Sequence, residues 1–317
     1  TVAIVTYAGS SGVALEPTAV SEKGAILDAL ARLTAGGSTA GAAGIETAYR
    51  LAEDRFDAET VNRVILATDG DFNVGASSVE AMERLIETKR DSGVFLSVLG
   101  FGRGNLNDAL MQSLAQAGNG QAAYIDTLAE ARKALVDEVR TLTPIAKDVK
   151  IQIEFNPAAV RDYRLIGYET RALNREDFNN DKVDAGEIGA GHRVTAIYEI
   201  TPVGGPARID DLRYQPAATG GDADELAFLR LRHKKPAADE SELTEIVIPA
   251  GAVEAGREAR FAVAVAGFGE LLRGSDHLGA WDWDEALALA ETAKGDDPFG
   301  YRAEFLDLVR LARSLDR

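Results

Sequence analysis

The sequence predicts an α/β fold: a doubly wound, mostly parallel sheet, followed by a β-rich, sandwich-like region that ends in amphipathic helices. Three observations carry this prediction. Short β-branched and apolar runs alternate with helical patterns over residues 1–143, the texture of a sheet covered on both faces. Strict period-two alternation then sets in at Val149–Phe155 (VKIQIEF), the mark of a half-exposed strand. Apolar residues at helical spacing return near the end of the chain. With 317 residues the chain is long enough for two domains, expected at 1–143 and 144–317.

Thr1–Ala8 (TVAIVTYA) reads as a strand buried on both faces. Val13–Pro17 follows as an edge strand closed by proline. Lys23–Leu33 carries Ile26, Leu27, Leu30 and Leu33 at helical spacing. After a small-residue break, Ala35–Gly41, the positions Ile45, Ala48, Tyr49 and Ala52 continue as an amphipathic helix. Asn62–Thr68 (NRVILAT) is a second buried strand, closed by Asp69-Gly70-Asp71. Val79–Ser92 is helical, Val94–Gly100 (VFLSVLG) a third buried strand, and Leu106–Ala117 helical again. Gln121–Asp126 is a short strand, and Leu128–Leu142 a helix stopping before Pro144.

Beyond Pro144, the runs Asp162–Ala172, His192–Ile200, Glu225–Arg232 and Leu243–Pro249 read as strands of an antiparallel sheet or sandwich. Arg260–Phe268 (RFAVAVAGF) is a further expected strand. Trp283–Thr292 and Tyr301–Leu315 are helical, the latter with Phe305, Leu308, Val309 and Ala312 on one face.

Composition narrows the function. There are 51 acidic against 34 basic residues, a net charge of −17. Such a chain repels phosphate backbones, which argues against nucleic acid. Divalent cations and basic protein surfaces suit it better, and solubility alone also explains the charge. With no cysteine, thiolate chemistry and disulfides are excluded. No apolar run approaches the roughly 20 residues of a membrane helix. The chain begins at Thr1, directly on a strand, so an upstream segment is expected to have been removed.

In parallel sheets, functional loops lie at the carboxyl ends of the strands. Two polar loops fall there: Gly37–Gly41, with Ser38 and Thr39, and Thr68–Asp71, with Asp69 and Asp71. Hydroxyl and carboxylate oxygens are hard ligands suited to Mg2+, Mn2+ or Ca2+. The same residues also fit a helix cap at Thr39 and an ordinary turn at Asp69-Gly70.

GGSTAGAAGIETAYRLAE followed by RVILATDGDFNVG resembles two loops of a von Willebrand factor type A domain, and VFLSVLGFG and QAAYID resemble its last two strands. The resemblance implies a Rossmann-like fold and a metal-ion-dependent adhesion site. Thr39 and Asp69 would be metal ligands, supported by Ser38 and Asp71, and a protein partner would complete the shell with an acidic residue. The resemblance also implies a first strand, a first helix and an Asp-x-Ser-x-Ser segment ahead of Thr1, none of them in this chain. Three ligands are then lacking, so metal binding by this chain is expected to be weak or absent. The family's central strand would lie between Thr1–Ala8 and Asn62–Thr68. Without it, three outcomes are open: the two strands pair directly, a neighbouring copy donates a segment, or association covers the sheet edges; direct pairing is favoured because it needs no partner. NREDFNNDKVDAGEIGAGHRVTAIYEI and DPFGYRAEFLDLVRLA resemble the extra domain that follows the type A domain in a group of bacterial proteins.

The function expected is a protein-interaction or adhesion module, not an enzyme, in a bacterial surface or periplasmic complex. Alternatives are a nucleotide-dependent α/β enzyme and a structural protein with a dead metal site. The nucleotide reading rests on Gly100-x-Gly102-x-Gly104, which lacks a third glycine at Asn105. Asp177, Asn179, Asp181, Asp184 and Glu187 suggest a calcium loop, but Lys182 stands where an EF-hand requires glycine; a solvated acidic turn is expected instead. His192, His233 and His277 are scattered, and Trp281 and Trp283 read as packing residues, with a partner-binding pair as the alternative.

Overall fold

The computed structural model describes the chain except residues 8–11, 35, 37–40, 70–78, 103, 105, 169–171, 184, 207–223, 237, 252 and 317 and the side chains of 139 and 140. Backbone packing divides it into two compact units. The first is Thr1–Val149 with Asp184–His192 and His233–Ser241; the second is Lys150–Val183, Arg193–Arg232 and Glu242–Arg317.

The first unit opens with β1 (Val2–Thr6) and β2 (Gly12–Thr18), paired antiparallel from Val2↔Thr18 to Thr6↔Gly12. Helices α1 (Lys23–Ala31) and α2 (Gly41–Glu53) follow. Then β3 (Asn62–Thr68), α3 (Val79–Asp91), β4 (Val94–Phe101), α4 (Asp108–Ala117) and β5 (Ala122–Ile125) alternate as expected. β3, β4 and β5 form a parallel sheet in that order, in register from Asn62↔Val94 to Thr68↔Gly100 and from Val98↔Ala122 to Phe101↔Ile125.

One face of this sheet makes the core. Val64 and Leu66 of β3 and Val94, Leu96 and Val98 of β4 pack with Ile45 and Tyr49 of α2, Met82 and Ile86 of α3, and Met111 and Leu114 of α4. The helices present these residues at three- and four-residue spacing, so each buries one stripe. The other face is less covered than expected. Ile65 stays 46% exposed, over a depression of about 260 Å³ lined by Ser97, Leu99, Ala123, Lys133 and Leu135.

Among the described residues, the direct pairing expected between Thr1–Ala8 and Asn62–Thr68 is not formed: β1 and β3 belong to different sheets. β1 satisfies its backbone on β2, a few residues downstream, where loop closure costs least entropy. It is half-buried along its length, not buried on both faces. The helix expected over Leu128–Leu142 is also broken. α5 (Leu128–Arg132) passes into a π turn over Lys133–Asp137 and a 3-10 turn over Val139–Leu142 before β6 (Pro144–Phe155).

β6 carries the chain out of the first unit between Val149 and Lys150. Within the first unit it pairs antiparallel with β8 (Gly186–Gly189), from Pro144↔Gly189 to Val149↔Gly186. In the second unit, β7 (Val160–Ile166) pairs antiparallel with β9 (Ile197–Pro202). β10 (Glu225–Lys234) lies beside β6, and β11 (Glu242–Pro249) beside β10.

Arg260–Phe268 is not a strand. It lies within α6 (Arg257–Leu272), which packs with α7 (Trp283–Ala293) and α8 (Tyr301–Leu315). The Ala-Val alternation conceals a helical stripe, Phe261, Ala264 and Phe268. Ala264 is buried with Ala290 and Leu306. The Phe261 and Phe268 rings each lie 5.3 Å from Phe305, edge to face. Val263 and Val265, which a strand would have turned inward, are exposed. Aromatic packing on a helix bundle thus overrides β propensity. Trp281 rests against Gly267, where a Cβ would lie 2.2 Å from its Nε1, and Trp283 donates to Asp316 at 2.6 Å. Both tryptophans are packing residues, as expected. Among the described residues no helix is long and apolar enough to cross a membrane.

Candidate functional site

β3 ends at Thr68, paired to Gly100, and β4 runs one residue further to Phe101. Thr68 is buried, and Asp69, the next residue, is exposed at the carboxyl edge of the sheet. The strand thus delivers a carboxylate to solvent one residue beyond its last ladder position. Its oxygens are the donor class that a hard divalent ion takes. Ser38, Thr39 and Asp71 lie outside the described residues. Among the described residues no group of three or more His, Asp or Glu is arranged to hold a metal.

Around Asp69 the structure places a residue that no motif in the sequence marks. Tyr7 directly follows β1, and its hydroxyl donates to the Ala67 carbonyl. Burial raises the Tyr7 pKa above its ordinary value; a hydrogen bond with Thr68 opposes this, and the Asp69 carboxylate adds to it. Helix α2 comes close to Tyr7 because Gly44 has no side chain: a Cβ there would sit 2.5 Å from the Tyr7 Cβ. The signal available in the sequence was GAAG (Gly41–Gly44), a run of small residues on an otherwise ordinary helix face.

At the opposite end of the strands Arg63 forms a structural junction. It donates to Ser97 Oγ at 2.8 Å and to the Leu142 carbonyl at 3.4 Å, and lies 5.5 Å from the Phe95 ring centroid. Burial lowers its pKa to about 10, against the opposing pull of Glu187 and Tyr49. Glu187 in turn accepts from Asn119 at 3.0 Å.

The glycines of the Gly100–Gly104 loop have structural causes. A Cβ at Gly100 would lie 2.5 Å from Met111 Sδ, so this position lets α4 pack on β4. Gly102 and Gly104 have φ of +89° and +103°, a region that favours glycine. The start of α4 is already capped, because the Asn107 side chain accepts from Leu110 N at 3.1 Å.

The acidic run beyond Asn174 is exposed at Glu176, Asn179, Asn180 and Lys182. Part of it is taken by the protein's own cations. Lys150, 2% exposed, donates to the carbonyls of Asp177 and Asn180. Arg232 donates to Asn179 Oδ1 at 3.0 Å and Asp181 Oδ1 at 3.3 Å. Asp184 lies outside the described residues. An ammonium and a guanidinium thus take oxygens that a calcium ion would need. Millimolar calcium is accordingly expected to leave the melting of the second unit unchanged. Trp281 and Trp283, the chain's two tryptophans and both in that unit, report it by fluorescence; a calcium-dependent rise of several degrees would refute the assignment.

Comparison with known proteins agrees with this architecture. Residues 1–138 match the von Willebrand factor type A domain, and residues 140–315 match the family described as Uncharacterized protein YfbK, C-terminal. The chain is 48% identical over 315 residues to Uncharacterized protein YfbK of Escherichia coli (strain K12), covering 98% of this chain and 55% of the relative. It therefore spans about half the length of the curated relative it matches. Among solved structures, a von Willebrand factor type A protein from Catenulispora acidiphila is 18% identical, covering 95% of this chain and 72% of that one with a TM-score of 0.47. Proximal thread matrix protein 1 from the mussel byssus, with a zinc-occupied MIDAS motif, is 16% identical, covering 50% and 38% with a TM-score of 0.33. Type A domains generally mediate protein–protein interactions. The chain belongs to the YfbK family, with a von Willebrand factor type A domain followed by the YfbK C-terminal domain.

Proposed function

We propose that the first unit is a protein-interaction module in which a divalent metal, Mg2+ first, sits at the carboxyl edge of the parallel sheet and receives an acidic residue of a protein partner. The observation that carries this reading is the exposed carboxylate of Asp69, presented one residue past the end of β3 in a type A domain. Thr39 is the second ligand in this proposal, with Ser38 and Asp71 in support. Recognition through a metal gives an acidic chain a way to bind an acidic partner, since the ion bridges two carboxylates that would otherwise repel.

Two protein ligands compete poorly with water for so strongly hydrated an ion. Calorimetry is therefore expected to show weak or no magnesium binding by the 317-residue chain. A longer form carrying an Asp-x-Ser-x-Ser segment upstream should bind at least about tenfold more tightly, a gain of about 1.4 kcal/mol. In that form Asp69→Ala should abolish binding. Tight binding by the short chain that survives Asp69→Ala would overturn the proposal.

A further inference from the structure

We propose that Tyr7 is the positioning residue for Asp69, tying the end of β3 to the end of β1 and to α2 so that the carboxylate is presented in a fixed place. The inference rests on reading Asp69 as a metal ligand, and it adds a residue that never touches the metal.

Three observations carry it. β1 and β3 lie in different sheets, so among the described residues no ladder hydrogen bond joins the two strands. Tyr7 bridges them instead, its hydroxyl donating to the Ala67 carbonyl and also hydrogen-bonded with Thr68, the two residues immediately before Asp69. The ring is seated from the other side by Gly44 of α2, where any side chain would collide with the Tyr7 Cβ and Cγ. Tyrosine is suited to this place: its rigid ring packs as an apolar body while the phenol reaches a backbone acceptor that a shorter side chain would miss. A strand end at a sheet's free side frays easily, because little holds it. One anchored carbonyl two residues upstream removes much of that freedom from Asp69, and a ligand already held in place loses less entropy on binding.

Tyr7→Phe is the informative variant, because phenylalanine keeps the packing on Gly44 and loses only the hydroxyl. Amide hydrogen exchange on the metal-free 317-residue chain reads the effect directly. Exchange at Thr68 and Asp69 is expected to speed up about fivefold, the worth of one net hydrogen bond, while Leu96 and Val98 in the centre of β4 stay unchanged. In the longer form with the Asp-x-Ser-x-Ser segment, magnesium affinity should fall by about the same factor with the melting temperature of the core preserved. Unchanged exchange at Thr68 and Asp69 overturns the positioning role, whether or not the protein binds metal. Equal acceleration at Leu96 and Val98 overturns it too, since that marks general destabilisation. Faster local exchange in a protein whose longer form ignores both magnesium and Asp69→Ala supports the tie while refuting the metal reading, so the two failures are distinguishable.

Discussion

Glu270→Ala is expected to destabilise the second unit by about 2–3 kcal/mol, the cost of leaving hydrogen-bond partners of a buried carboxylate unpaired. Glu270 lies in the last turn of α6 and is 5% exposed. It accepts from Arg164 Nη1 at 3.0 Å and from Ser275 Oγ at 2.7 Å, and Arg273 lies 3.8 Å away. Arg164 also donates to Glu199 at 2.6 Å, so one guanidinium joins β7, β9 and α6. Truncating Glu270 leaves Arg164 with half its carboxylate partners and Ser275 without its acceptor. Melting followed by tryptophan fluorescence, which sees this unit alone, should shift down by several degrees for a domain of this size. A loss below about 1 kcal/mol would show that the junction is not stabilising.

The same carboxyl gives the unit an acid limb. Burial by itself would raise the pKa of Glu270, but the hydrogen bonds from Ser275 and Arg164 and the charges of Arg164 and Arg273 outweigh it and hold the pKa below its ordinary value. A depressed folded pKa means that the unfolded state binds the proton first. The stabilisation is therefore present above the unfolded value of about 4.3 and is lost as pH falls through the folded value. Urea midpoints between pH 7 and pH 3 should fall more steeply for the parent than for Glu270→Gln. Parallel curves would show that other carboxyls dominate the acid limb.

Leu96→Ala should cost the first unit about 4 kcal/mol, toward the upper end of the range for buried leucines. Leu96 is fully buried in the middle of β4. What sets the size is the inability of its surroundings to relax. The backbone of Gly118 lies so close that a Cβ there would be 2.5 Å from the Leu96 Cβ and 3.0 Å from Ile86 Cγ2. A Cβ at Gly120 would be 1.7 Å from the Leu96 carbonyl oxygen. A bare turn cannot fold a side chain into the hole, so the cavity persists. Since this unit has no tryptophan, far-ultraviolet circular dichroism or hydrogen exchange of β3 and β4 must follow it. A loss under about 1.5 kcal/mol would mean that β4 and the 118–120 turn do collapse.

Elements whose burial pattern is local can be read from their own residues. β3, β4 and β5 are short apolar runs, and α2, α3, α4, α7 and α8 repeat apolar residues at helical spacing, so each could be read without knowing its neighbours. Asp69 was legible for the same reason: a carboxylate that directly follows a parallel strand must lie at the sheet's carboxyl edge. The tertiary structure decided what depends on which surfaces meet. The Ala-Val alternation of α6 fits a strand until Phe305 shows which face is inside. Nothing within β1 or β3 tells that they belong to different sheets, because both carry an apolar pattern and β1 finds its neighbour in β2 across a short loop. Lys150 and Arg232 reach the acidic turn from strands remote in sequence. Tyr7 is one aromatic residue after a strand until folding sets it against Gly44 and hands its hydroxyl to Ala67. Periodicity records how far each residue is removed from water; it does not record the partner that removes it.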